Sequence, residues 1–168
     1  MDAADLITRL KVQGGLLSTW LRSVPRDELL WKPAPERWSM LEVLGHLLDE
    51  ERDDFRTRIR LTLEGAAAWP HIDPEAWAGE HRYQDSNPGR TIDAFDRERA
   101  ASIAWLEELG DAGWSHSHEH PQLGRLAAGD LLAAWAAHDM LHLQQLARLR
   151  VDWIQRSAEP YSIRYAAP

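Results

Sequence analysis

The 168-residue chain contains no cysteine, which excludes disulfides, thiolate metal ligands and a cysteine nucleophile, and fits an intracellular protein. No apolar run is long enough to cross a bilayer. The opening MDAADLITRL is acidic and amphipathic, unlike a secretion signal. Together these give the expectation of a cytoplasmic protein with no membrane partner. Positive charge is also scarce: 19 Lys and Arg against 27 Asp and Glu give a net charge of −8. The basic residues form no stripe, and phosphate binding needs one, so nucleic acid is not an expected partner. No segment alternates apolar and polar residues convincingly, so no sheet is expected. Phenylalanine and tyrosine are few (two and three), whereas tryptophan is abundant at nine. Trp38, Trp69, Trp77 and Trp135 are candidate pocket walls, although aromatics at helical spacing more often belong to a core.

What is present is helical periodicity in a chain of single-domain length, residues 1–168. Leu6, Leu10, Leu17 and Trp20 recur at helical spacing, which predicts a first helix from about Ala3 to Ser23, stopped by Pro25. A second is predicted from Ser39 to about Leu63. Ser39 is its N-cap, Glu42 the capping-box partner, and Trp38 with Val43 the hydrophobic staple. A third is expected from about Thr91 to Leu109 and a fourth from about Gly129 to Gln155. Between the second and third lies AAAWPHIDPEAWAGEHRYQDSNPG, a long connection of the kind that forms lids or pocket walls. The predicted fold is all-α, a four-helix bundle.

The fourth helix carries the chemistry. In WAAHDMLHLQQLARL, His138 and His142 sit about 40° apart on the stripe that includes Leu131, Trp135, Leu146 and Leu149. An i, i+4 pair can reach one ion, and buried imidazoles need partners for both ring nitrogens. Hydrogen-bonded core histidines are the alternative. A third ligand must come from another helix, and His46 is the histidine available there. It borders the carboxylates Glu42, Asp49, Glu50 and Asp53, which suggests a cleft open to solvent; pairing with Glu50 one turn on is its simpler reading. Glu50 and Asp139 are candidates to orient a ligand ring or accept a proton, while Asp49 reads as a solvated helix-face carboxylate. HSHEH is a competing cluster: extended, His116, His118 and His120 share one side, but a solvated loop is the simpler reading. His71 and His81 read as surface residues or pocket walls. HDMLH differs from the zinc-protease HExxH, with Asp139 at the base position and no histidine after His142.

Taken together, LLWKPAP at 29–35, RWSMLEVLGHLLDEE at 37–51 and HPQLGRLAAGDLLAAWAAHDMLHLQQLARL at 120–149 resemble the DinB-like superfamily. The resemblance implies a four-helix bundle holding a divalent metal on His46, His138 and His142. It also implies a stress-response setting, without a DNA-handling activity. Related bundles include transferases and isomerases that use mycothiol, bacillithiol or glutathione. Three neutral imidazoles suit Zn²⁺, Ni²⁺ or Fe²⁺ and leave positions open, as in catalytic sites. The expected activity is a metal-dependent transferase joining a low-molecular-weight thiol to a small electrophile. A metal-dependent hydrolase and a non-catalytic binding bundle are the alternatives. Arg52, Arg56 and Arg148 are possible anchors for a carboxylate-rich thiol, and a homodimer through helix faces is expected.

Overall fold

The computed structural model describes residues 1–166. Helix α1 (Ala3–Arg22) is followed by the short α2 (Arg26–Leu30), then α3 (Met40–Asp49), a π-helical turn (Glu50–Asp54) and α4 (Phe55–Leu63). Next come α5 (Pro74–Glu80), a 3₁₀ turn (Tyr83–Asp85), α6 (Pro88–Leu109), strands β1 (Ser117–His120) and β2 (Gly124–Ala127), and α7 (Ala128–Ser157). The four long elements are α1, α3–α4, α6 and α7.

Local chemistry explains their ends. Asp2 caps α1 and Ser39 caps α3, each in a reciprocal capping box with the residue three positions on. Helix α6 starts three residues earlier than Thr91, because the Asn87 side chain accepts from the Arg90 N–H at 3.0 Å. Pro88 supplies the first helical position, where its missing N–H is no loss. The expectation of no sheet is corrected. Ser117–His120 pairs antiparallel with Gly124–Ala127, and Nδ1 of His120 accepts from the Gln122 and Leu123 backbone N–H groups at 3.2 Å each. Gly124, at φ +70°, completes the turn. Strands of four residues, SHEH and GRLA, carry too short an alternation to read.

The buried apolar residues form two clusters. One joins Leu17 and Leu21 of α1, Met40 to Leu48 of α3, Ile92 and Phe95 of α6, and Leu146 and Leu149 of α7. The other joins Ile7 and Leu10, Phe55 and Ile59, Ile103 and Leu106, and Ala128 to Ala136. Each long element therefore runs from one cluster to the other. Helices α1 and α7 run one way; α3–α4 and α6 run the opposite way. This direction pattern explains the long connection: α4 ends and α6 begins at opposite ends of the bundle, so residues 64–87 must travel back along its length. That path packs α5 and the 3₁₀ turn against α3. Helix α1 packs on α6 and α7, and α3–α4 packs on the same two.

Between the clusters lies a buried polar layer. Arg99 of α6 donates from Nε to Glu51 (2.6 Å), from Nη1 and Nη2 to Asp139 (2.6 and 2.9 Å), and from Nη1 to the Leu10 carbonyl (2.9 Å). Ser102 and the Trp135 indole also donate to Glu51, at 2.8 and 3.2 Å. Gly14 of α1 leaves room for the arginine, since a Cβ there would lie 2.7 Å from Arg99 Cγ. One guanidinium thus ties all four long elements together at mid-height.

Candidate metal centre

His46 leaves α3 toward α7, where His138 and His142 stand one turn apart. Their Nε2 atoms face one another: 3.3 Å from His46 to His138, 3.1 Å from His46 to His142, and 3.1 Å from His142 to His138. A cation about 2.1 Å from each nitrogen would see angles of roughly 95–105° between them, a facial set with positions left open. Among the described residues this is the one group of three His, Cys, Asp or Glu ligand atoms that converge within 4.8 Å. The donor set fits a divalent metal, and its identity is not fixed by three imidazoles.

The surroundings keep these rings neutral. Burial is the largest cause pushing His46 and His138 down to about 3; the neighbouring imidazoles add for His46, and His142 and Arg99 add for His138. His142 is lowered too, again chiefly by burial. Neutral nitrogen is the ligating form. The other ring nitrogens differ. Nδ1 of His142 lies 2.8 Å from Gln145 Oε1, whereas Nδ1 of His46 and of His138 are buried without a hydrogen-bond partner. Glu50 Oε1 stands 3.7 Å from His46 Nδ1. Trp38 packs against His46 and Phe55 against His138, with ring centroids 5.1 and 5.2 Å apart. They form an apolar collar.

The carboxylates depart from the sequence reading. Glu42, Asp49 and Glu50 are buried whereas Asp53 is exposed, so the four carboxylates do not line a solvent-open acidic cleft together. Asp49 is not a solvated carboxylate: its Oδ2 accepts from Tyr83 OH and pairs with His81 Nδ1, both at 2.6 Å. The long connection that covers α3 brings these partners, and Gly45 admits Tyr83, whose Cγ would be 2.5 Å from a Cβ there. Burial raises Glu50 well above the ordinary carboxylate range, and its hydrogen bond with Asp54 adds to this. Asp54 in turn pairs with Arg58. Asp139 is placed one residue from His138 but gives both oxygens to Arg99, which takes it away from the role of proton acceptor at the triad.

The competing cluster stays apart from the triad. His118 and His120 do share one side of β1, where they pack on Trp69 at centroid distances of 4.4 and 5.9 Å. His116 instead reaches toward the Leu63 carbonyl. Trp38 is a wall of the site; Trp135 is core, stacked on Phe55. Arg52 and Arg56 are engaged by Glu98 and Arg148 by Asp152. Sequence reasoning missed Gln145, although its position three residues after His142 was a readable signal. It also missed Arg99, Glu51 and the Asp49–His81 pair, whose partners are distant in sequence.

Comparison with known proteins follows the same outline. The family described as the DinB superfamily matches residues 9–146. No curated protein sequence matches significantly. Among solved structures, the chain is similar to YfiT from Bacillus subtilis, described as a probable metal-dependent hydrolase with an unusual four-helix bundle topology. The TM-score is 0.77 at 18% identity, covering 88% of this chain and 85% of that one. It is also similar to a mycothiol-dependent maleylpyruvate isomerase, with a TM-score of 0.69 at 16% identity. That match covers 87% of this chain but 61% of the isomerase. These likenesses establish the bundle fold.

Proposed function

The chain belongs to the DinB superfamily, and from that premise we propose that it is a metal-dependent transferase: His46, His138 and His142 hold a divalent cation, and a low-molecular-weight thiol is joined to a small electrophile. One observation carries the reading, the convergence of three neutral Nε2 atoms from two helices at 3.1–3.3 Å. Zinc or nickel is the expected metal, with iron third. When bound, the cation supplies Lewis acidity that makes a thiol or a water more acidic. The chain has no cysteine, so the sulfur must come from a cosubstrate, and the likeness to a mycothiol-dependent isomerase supports that choice. In the reaction a bond forms between the thiol sulfur and the electrophilic carbon. The thiol proton passes to solvent, and the leaving group departs with its electron pair.

The chain's own residues position and shield. Trp38 and Phe55 exclude water from two sides of the triad, and Glu50 backs His46. Asp139, locked to Arg99, fixes the part of α7 that presents His138. We place the protein in the cytoplasm and expect two copies to associate through helix faces. Hydrolysis is the second reading, favoured by the likeness to YfiT.

The deciding experiment is elemental analysis of protein purified without a histidine tag or chelator. About one equivalent of zinc, nickel or iron per chain supports the metal reading; no metal, and none taken up from added Zn²⁺ or Ni²⁺, overturns it. Electrophile consumption that requires a thiol then separates transferase from hydrolase, because a hydrolase turns over its substrate with no thiol present.

A further inference from the structure

Three imidazoles can point bare Nε2 atoms at one cation only if each carries its proton on Nδ1. Which nitrogen bears the proton is set by the hydrogen bond the other one makes. In this triad just one ring has such a bond: His142 Nδ1 lies 2.8 Å from Gln145 Oε1. His138 Nδ1 is buried without a partner, and His46 Nδ1 is 3.7 Å from Glu50 Oε1, beyond hydrogen-bond reach. An amide oxygen accepts and cannot donate. The contact therefore requires the Nδ1–H form of His142 and leaves its Nε2 lone pair aimed at the other two rings.

We propose that Gln145 is the positioning residue of the metal centre: by accepting from His142 Nδ1–H it holds that ring in the tautomer able to ligate through Nε2, and so sets how tightly the site holds metal. The inference rests on the metal reading for its second half, while the tautomer stands independently of it. The two residues are three apart on one helix, so the backbone fixes their separation and the bond costs little ordering beyond the two side chains. Without it, His142 is free to carry its proton on Nε2 and donate to His46 or His138, both 3.1 Å away. A ring in that state cannot bind a cation through Nε2. The triad would then close on itself as a hydrogen-bonded cluster.

Two measurements on the full chain test this. Nitrogen-resolved NMR of the imidazoles in metal-free protein reads the tautomer directly, and chelator competition reads zinc affinity. The wild type should show His142 as Nδ1–H. Gln145→Leu should shift it toward Nε2–H and weaken zinc binding by about 10–100-fold. Gln145→Glu, which still accepts, should keep wild-type affinity or better. An unchanged thermal midpoint of metal-free Gln145→Leu separates loss of positioning from loss of fold; should that variant fail to fold, the wild-type tautomer and Gln145→Glu still decide. The inference is overturned by an Nε2–H tautomer in the wild type, or by a leucine variant that binds zinc within twofold of it. If the wild type takes up no zinc, the metal reading and the affinity half fall together. An Nδ1–H tautomer would then leave Gln145 as the residue that orients His142.

Discussion

Each of the three triad imidazoles is separately indispensable in a three-ligand site, so His138→Ala and His142→Ala should each lose most of the bound metal. His118→Ala, whose ring stacks on Trp69 instead, should retain it; metal content of the purified variants checks this. The same rings fix the sign of a pH effect. His46 and His138 are held near 3 in the folded chain against an ordinary value of 6.5. The unfolded chain therefore takes up protons below 6.5 that the folded chain refuses, and the stability tied to these rings is present above 6.5 and lost as pH falls toward 3. Buried carboxyls such as Glu50 and Asp54, whose values are raised, act in the opposite direction. The clean readout is thus a difference: in metal-free protein, the urea midpoint of a His46→Gln, His138→Gln double variant should gain on wild type as pH falls from 6.5 toward 4, and hold a constant offset above 7.

Helices were legible where their signals are local. The Ser39–Glu42 capping box follows from four residues, and the structure contains it, with Ser39 Oγ accepting from the Glu42 N–H at 3.2 Å. The His138–His142 spacing was readable for the same reason. Ser39 also donates to Gln84 Oε1 at 2.6 Å, so it anchors the long connection as well as the helix. Ser39→Ala should cost about 1–2 kcal/mol, seen as a lower urea midpoint at unchanged slope. The π turn at Glu50–Asp54 has no local signature, and neither does the burial of Asp49, because His81 and Tyr83 come from a connection more than 30 residues away. The length of that connection was legible, but its cause was not: it follows from the directions of α4 and α6, which no single element encodes.

At the scale of the molecule, the polar layer is the feature sequence reading could least reach. Arg99, Glu51 and Asp139 look like ordinary helix-face charges until three helices are assembled. Burial pushes Glu51 upward while Arg99 opposes it, and among the described residues the guanidinium is the one cation hydrogen-bonded to both carboxylates. Arg99→Met removes that cation and leaves two buried acids unpaired, which should destabilise the fold by about 3–5 kcal/mol. Equilibrium urea unfolding measures it, and a loss below about 1 kcal/mol would show that water reaches the layer. The layer also sits beside the triad, since Asp139 follows His138 on α7, and Glu51 follows Glu50, whose Oε1 stands 3.7 Å from His46 Nδ1. Weakened metal binding should accompany the lost stability.

The triad joins residues 92 and 96 positions apart in the chain. During synthesis, His46 emerges long before its partners exist, and the intervening α6 and β-hairpin must be made first. No nascent or truncated chain that stops short of α7 can assemble the three-nitrogen triangle, however well its first helices form. Metal uptake by such a site would therefore be a late event in the life of each molecule, and metal content in a purified sample would double as a count of the chains that have docked their last helix.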